Sequence, residues 1–305
     1  MQVTILGTSS AIPTFKRGLS ATFLDRGAQS FLFDCGEGTQ FQIMRAGLRR
    51  GRLAAIFITH LHGDHCYGLP GFLSSLGLNN REAKLDIYGP EGVKRLVDFF
   101  LSFPRKMRLS YEIEVHEIPP GFEGEILDHK EYRVRTLPLF HRVPTQGYRF
   151  EEKPRPGVFD EEKAEALGIP FGPERGQLIR GEALTLADGT RIEASAVVGP
   201  SRPGKSFVYC TDTGFCINAK RLAEGCDLLL HEATYGDELT ELARERRHAT
   251  IRQAAAVARA AGAKKFVATH FSTRYDRHGI AKLEEEGREL FPDIIMAKDL
   301  MCLDV

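Results

Sequence analysis

Apolar residues in this chain come in short runs separated by polar turns, and several runs end on a residue that can bind metal or move a proton. Val3–Leu6, Ala21–Leu24, Phe31–Phe33, Leu53–Thr59 and Leu85–Tyr88 read as strands. Val134–Phe140, Phe207–Cys210, Asp227–Leu230 and Lys265–Thr269 read likewise. Helical patterns cover about 39–46, 91–103, 250–261 and 280–290. Thr39-x-x-Gln42 and Thr250-x-x-Gln253 have the spacing of a capping box, and Gly47 and Gly262 stand where those helices should stop. The alternation predicts an α/β fold, and no repeat, coiled coil or low-complexity tract interrupts it.

The strand Leu53–Thr59 runs into His60-Leu61-His62-Gly63-Asp64-His65, which places three imidazoles and a carboxylate in six positions. All are good ligands for a borderline cation such as zinc. Residues two apart in extended chain point the same way, so His60 and His62 can grip one ion. Asp64 and His65 follow a turn at Gly63 and can face a second. The helical His-Glu-x-x-His arrangement is a different pattern. Four further strand ends repeat the theme: His141 after Leu137–Phe140, Asp212 after Val208–Thr211, His231-Glu232 after Leu228–Leu230, and His270 after Phe266–Thr269. Polar groups at one edge of a sheet core are how α/β folds build sites. A carboxylate such as Asp212 can bridge two cations, one oxygen to each.

Composition narrows the field. The chain has 305 residues, 42% hydrophobic and 27% charged, with a formal net charge of zero. It can bury a sizeable core, and any polyanion must be held by local patches and metal rather than by bulk positive charge. Six scattered cysteines without a Cys-x-x-Cys pair argue against a zinc ribbon and suggest reduced, mostly buried thiols. With no signal peptide and no apolar run of membrane-spanning length, the expected location is the cytoplasm, with no membrane partner.

Residues 151–182 stand apart. Four prolines and five glycines surround a short helical stretch, Asp160–Leu167, and discourage other regular structure. The segment reads as an inserted arm projecting from the body, which over 1–305 is a single large domain or two packed halves.

The pattern His-x-His-x-Asp-His after a strand, followed by separated His, Asp and His, resembles the metallo-β-lactamase superfamily, and within it the ribonuclease Z family over nearly the whole length. Phe33-Asp-Cys-Gly-Glu-Gly-Thr-Gln40 resembles that family's first motif, and Phe57-Ile-Thr-His-Leu-His-Gly-Asp-His65 with Tyr67-Gly-Leu-Pro-Gly71 its second. His231-Glu-Ala-Thr234 and His270-Phe-Ser-Thr-Arg-Tyr275 resemble signatures that separate ribonuclease Z from lactamases and glyoxalases. Ile169-Pro-Phe-Gly-Pro173, with Gly172 and Pro173, resembles the flexible tRNA-holding exosite of the family.

The resemblance implies a four-layer αββα sandwich of metallo-β-lactamase type with a protruding arm. It implies two Zn2+ per subunit, with other divalent ions such as Mn2+ as substitutes. His60, His62, His141 and Asp212 would hold the first, and Asp64, His65, His270 and the shared Asp212 the second. The implied activity is hydrolysis of the 3′ trailer from precursor tRNA, leaving a 3′ hydroxyl on the tRNA and a 5′ phosphate on the trailer. Asp64 would orient or deprotonate the attacking water. His248, paired with Glu232, would protonate the leaving oxygen. His231 reads as structural, while His116, His129 and His278 carry no motif. Arg274 is either a phosphate clamp or a surface salt-bridge partner.

Relatives are homodimers in which one subunit's arm holds tRNA cleaved at the other's site. Many also carry a Pro-x-Lys-x-Arg-Asn loop that senses the 3′ CCA. Here Pro13-Thr-Phe-Lys-Arg-Gly18 keeps Pro13 and Arg17 but has Phe15 and Gly18 at the lysine and asparagine positions. The competing expectations are a phosphodiesterase or arylsulfatase-like hydrolase of the same superfamily, an inactive RNA binder, and a di-iron redox protein.

Overall fold

The computed structural model describes residues 1–103 and 109–305. Strands β1 (Gln2–Gly7), β2 (Ala21–Asp25), β3 (Ser30–Phe33), β4 (Leu53–Phe57), β5 (Leu85–Pro90) and β6 (Ile113–Ile118) make a first sheet. Strands β7 (Gly124–Asp128), β8 (Tyr132–Pro138) and β9 (Gln146–Glu152) begin a second. A separate ribbon pairs β10 (Leu184–Thr185) with β11 (Arg191–Ile192). Strands β12 (Ser206–Cys210), β13 (Leu228–Glu232), β14 (Lys265–Thr269) and β15 (Ile295–Met296) complete the second sheet. The chain then returns to the first sheet, where β16 (Cys302–Asp304) pairs antiparallel with β1.

The central strands are covered on both faces, which is why β3, β4, β12 and β13 read as nearly continuous apolar runs, while β6 and β8 alternate. The period of two is visible in β3. Phe31 and Phe33 point to the second sheet, where they meet Phe150, Tyr148, Phe207 and Tyr209. Leu32 points the other way, into a core shared with Ile56, Ile58, Phe72 and Leu73 under helices Leu69–Leu78 and Val93–Ser102. On the far side, helix Ile251–Ala261 packs on β13 and β14 and against helices Ile217–Ala223 and Arg277–Arg288. The expected helix, sheet, sheet, helix layering is therefore present.

Register then decides where the chemistry falls. β3, β4 and β5 are parallel neighbours, with Phe33 beside Phe57 and Phe57 beside Tyr88. β12, β13 and β14 are parallel too, with Cys210 beside His231 and Glu232 beside Thr269. Each set of C-terminal strand ends lines up along one edge. Residues just beyond them (Asp34 and His60 in one sheet, Asp212 and His270 in the other) arrive together.

Two local expectations need correction. Thr39 is not an N-cap: Gly38, with φ 84°, takes that place, and the Thr39 hydroxyl donates to the Gly36 carbonyl at 2.6 Å. Gln42 instead donates to the Leu6 carbonyl and to Asp299. Residues 151–182 are also more ordered than their glycines and prolines suggested. With residues 128–133, residues 151–205 form a second compact unit. It carries helices Glu161–Ala166 and Pro173–Ile179 over its own core of Ala164, Ile169, Leu178, Leu184, Ile192 and Val197. Gly168 and Gly181 follow helix ends rather than interrupting helices, and Pro173 starts a first turn, where proline is tolerated.

At Thr250 the capping box is complete: its hydroxyl accepts from Gln253 N, and the Gln253 side chain accepts from Thr250 N at 3.0 Å. Thr250→Ala is expected to destabilise the protein by about 1 kcal/mol, read as a lower urea midpoint with an unchanged slope.

Candidate metal centre

His60 follows β4 on extended backbone, and a helical turn, Gly63–Cys66, then swings Asp64 and His65 back to the same place. That turn fits only because of small residues. A side chain at Gly36 would strike the Asp64 carbonyl, its Cβ lying 2.4 Å away, and one at Gly68 would lie 2.1 Å from the Gly36 carbonyl. The loops after β8, β12 and β14 add His141, Asp212 and His270.

Two groups of ligand atoms result, and Asp212 belongs to both. Asp212 Oδ2 lies 3.6 Å from His60 Nε2 and 3.7 Å from His141 Nε2. His62 Nδ1 is 2.9 Å from His60 Nε2 and 3.4 Å from His141 Nε2. The other oxygen, Asp212 Oδ1, lies 3.1 Å from His65 Nε2 and 3.0 Å from His270 Nε2. Asp64 Oδ2 closes this second group at 3.4 Å from His65 and 3.6 Å from His270. It is held in turn by Ala11 N at 2.9 Å.

The protein fixes the tautomer of four of these histidines. His65 Nδ1 donates to the Asp34 carboxylate at 2.7 Å, and His141 Nδ1 to the Arg247 carbonyl at 3.1 Å; neither partner has a proton to give. Thr59 gives its one hydroxyl proton to Asp34, so its oxygen accepts from His60 Nδ1 at 3.0 Å. Thr234 gives its proton to Glu232, so its oxygen accepts from His270 Nδ1 at 3.0 Å. Each Nε2 lone pair therefore faces inward. His65 Nε2 and His270 Nε2 are buried and lack a hydrogen-bond partner among the described residues. Converging lone pairs beside two carboxylates repel one another unless a cation sits among them. This nitrogen and oxygen donor set fits divalent metal: His60, His62, His141 and Asp212 make one group, and Asp64, His65 and His270 another with Asp212 Oδ1 beside it.

Electrostatics point the same way. Burial, reinforced by the neighbouring histidines, holds His60 well below its ordinary pKa. Against burial, Asp212, Asp34 and Asp64 raise His65, and the histidines hold Asp212 and Asp64 far below the usual carboxylate range. The cluster is built to attract positive charge.

Beside it sits a second device. Glu232 is fully buried, accepting from Thr213 N at 2.6 Å, Thr234 Oγ1 at 2.5 Å, Ala249 N at 3.1 Å and His248 Nδ1 at 2.8 Å. Although burial opposes it, Glu232 raises the pKa of His248 to about 9. The imidazolium is stacked near His270, with 14% of its side chain exposed.

Two other sequence candidates, Arg17 and Arg274, bond to Ser272, beyond His270. Arg17 Nη2 donates to the Ser272 carbonyl, two residues beyond His270. Arg274 stacks over Tyr235, donates to Ser272 Oγ and makes no ion pair among the described residues. His231 turns Nδ1 onto the Glu232 carbonyl and stays outside both groups. Gly172 and Pro173 belong to the second compact unit, where Gly172 adopts φ 152°. In that unit Lys153, Arg155, Lys163, Arg175 and Arg180 are each ion-paired with Asp128, Glu152, Asp160, Glu161 and Glu182 respectively. Arg175 is buried over Phe171. Sequence reasoning missed the groups that hold the histidines: Asp34, Thr59, Thr234 and the Arg247 carbonyl. Asp34, Thr59 and Thr234 each lie inside a quoted motif without having been given a role there; Arg247 lies outside them all.

Comparison with known proteins is consistent with this architecture. Residues 173–271 match the family described as a beta-lactamase superfamily domain, and residues 1–105 match that of the anti-Pycsar protein Apyc1. A ribonuclease Z of Synechococcus sp. (strain WH7803) is 44% identical over 312 residues, covering 100% of this chain and 96% of that protein. A ribonuclease Z of Synechocystis sp. is 44% identical over 310 residues, covering 100% and 94%. Human tRNase Z, short form, superposes with a TM-score of 0.72 at 28% identity, over 100% of this chain and 99% of that one. With its layered fold, its clustered histidines and full-length likeness to these enzymes, the chain belongs to the ribonuclease Z family of metallo-β-lactamase-fold nucleases.

Proposed function

We propose that this protein is a zinc-dependent endoribonuclease that removes the 3′ trailer from precursor tRNA. It leaves a 3′ hydroxyl on the tRNA and a 5′ phosphate on the trailer. The observation that supports this most is the His248–Glu232 pair beside the Asp212-centred histidines, since it adds a proton donor to a site fit for metal.

His60, His62, His141 and Asp212 would hold one ion, and Asp64, His65, His270 and Asp212 the other. When bound, two such ions supply Lewis acidity against the phosphoryl oxygens and lower the pKa of water toward neutrality. The chain's own residues do the rest. Asp64, its carboxylate fixed by Ala11 N, accepts a hydrogen bond from the water that attacks phosphorus. As the bond from phosphorus to the ribose 3′ oxygen breaks, His248 gives that oxygen its proton. Glu232 keeps His248 charged beforehand and holds its ring by Nδ1, leaving Nε2 to face the leaving group. The exposed edge of His248 then recovers a proton from solvent. Arg17 and Arg274, near Ser272, are the candidates for substrate phosphates.

The second compact unit is the proposed docking arm, used in a homodimer by the partner's site. Lys153, Arg155, Lys163, Arg175 and Arg180 are engaged in ion pairs, so recognition is assigned to backbone around Gly172 and Pro173 and to the exposed ring of Phe171.

Three outcomes test this function. His248→Ala should keep two zinc ions by elemental analysis while single-turnover cleavage of a 3′-extended pre-tRNA falls about 10²–10⁴-fold; an unimpaired rate removes His248 from the mechanism. Asp34→Asn should weaken zinc about 10–100-fold in chelator competition, with circular dichroism unchanged. Glu152 N donates to the Lys205 carbonyl at 2.9 Å, so the stems of the arm are already joined. Replacing residues 154–203 by a short Gly-Ser linker should abolish pre-tRNA cleavage and spare hydrolysis of bis(p-nitrophenyl) phosphate. Equal loss of both refutes a docking role.

A further inference from the structure

His141 and His248 meet through a residue outside the motifs. Helix Thr240–Arg246 ends at Arg247, whose backbone is left-handed, with φ 57° and ψ 49°. His248 N donates to the Ala243 carbonyl at 2.9 Å and Arg247 N to the Arg244 carbonyl at 3.3 Å. This is a Schellman-type stop, and its left-handed position is usually glycine because any Cβ is strained there. An arginine here needs a reason.

Its side chain supplies one. Arg247 Nη1 donates to the His141 carbonyl at 2.7 Å, and the guanidinium lies 4.9 Å over the Phe140 ring. The carbonyl of Arg247 accepts from His141 Nδ1. One residue therefore grips His141 twice, by its backbone and by its ring, while its next neighbour in the chain is His248. A parallel strut runs from Arg142 Nη2 to the Glu245 carbonyl at 3.0 Å. On the opposite flank, Phe140 N donates to Thr213 Oγ1 and Gly214 N to the Phe140 carbonyl. Thr213 N in turn donates to Glu232.

We propose that Arg247 is a positioning residue that sets His141 and His248 relative to each other, through its guanidinium on the His141 backbone and its carbonyl on the His141 ring. The proposal rests on the proposed roles of those two histidines. Removing the guanidinium leaves the ring's partner in place and frees the 140–142 loop.

Glycine at 247 discriminates the possibilities, because it relieves the strained backbone as it deletes the side chain. Wild type, R247G, R247K and H141A are compared by thermal melting, by Zn2+ competition with a chromophoric chelator, by the absorption spectrum of the Co2+-substituted protein, and by pre-tRNA cleavage. R247G should melt no lower than wild type, bind one Zn2+ about 10–100-fold more weakly, shift the Co2+ bands and lower kcat with KM unchanged. R247K, which keeps a donor for the His141 carbonyl, should recover part of each loss. Unchanged Zn2+ affinity and Co2+ spectrum in R247G overturn the proposal, as does a melting temperature that falls in step with activity. H141A separates this from the underlying function. If it retains two metal equivalents, the assignment of His141 fails and the proposal with it. If H141A loses one and R247G loses no affinity, the proposal alone fails.

Discussion

The carboxylate of Asp34 is wholly buried and accepts hydrogen bonds from both sheets. Thr59 N and Oγ1 reach it from the end of β4, His65 Nδ1 from the turn beyond, and Tyr209 OH from β12 at 3.0 Å. A buried carboxylate is costly unless its lone pairs are filled, and here four donors fill them. The same bonds lock three strand ends together and turn two imidazoles inward, His65 directly and His60 through Thr59. Glu232 repeats the arrangement in the second sheet, organising Thr213, Thr234, His248 and, through Thr234, His270. Two buried acids thus carry most of the site.

This convergence strains the backbone. Among the described residues, seven non-glycine positions have positive φ, and five of them are Ala11, Asp34, Asp212, Arg247 and His270. Each either faces the two groups of ligand atoms or holds a residue that does. A strand leaving a sheet runs away from its edge, so a side chain that must return over that edge needs a sharp reversal. Left-handed residues provide one at about 1–3 kcal/mol each. Packing beneath them, notably the aromatic layer of Phe33, Phe57, Tyr148 and Tyr209, is what holds such conformations.

How legible was this in the sequence? Strands were visible where the run itself is apolar, and β14 falls on Lys265–Thr269 as predicted; β9, with buried Gln146 and Glu152 in its run, was not. The ligand cluster was visible because metal chemistry demands rare residue types close together. Helix Leu69–Leu78 was not, since its glycines and proline mask the period while Leu69, Phe72, Leu73 and Leu76 are buried. The core of residues 151–205 was missed because its apolar residues are spread thinly between punctuating glycines and prolines. Asp34, Thr59 and Thr234 lie inside the quoted motifs, yet their roles escaped: a positioning residue needs only one donor or acceptor, so spacing does not reveal what it holds. Arg247 was least visible, because its carbonyl, which any residue has, does half of its work.

One chemical pair, carboxylate with imidazole, is used here for opposite ends, and geometry decides which. His65 sits among Asp34, Asp64 and Asp212, which favour a proton on it, yet its Nε2 shares Asp212 Oδ1 with His270 Nε2. A cation held by those carboxylates would compete for the same lone pair in exchange for that proton. His248 is excluded from that exchange. Its Nδ1 is committed to Glu232, whose two oxygens are otherwise filled by Thr213, Thr234 and Ala249. Its free edge looks toward solvent, at 14% exposure of the side chain. The proton on His248 is therefore held chiefly by Glu232, while the proton on His65 depends on carboxylates that a cation would also seek.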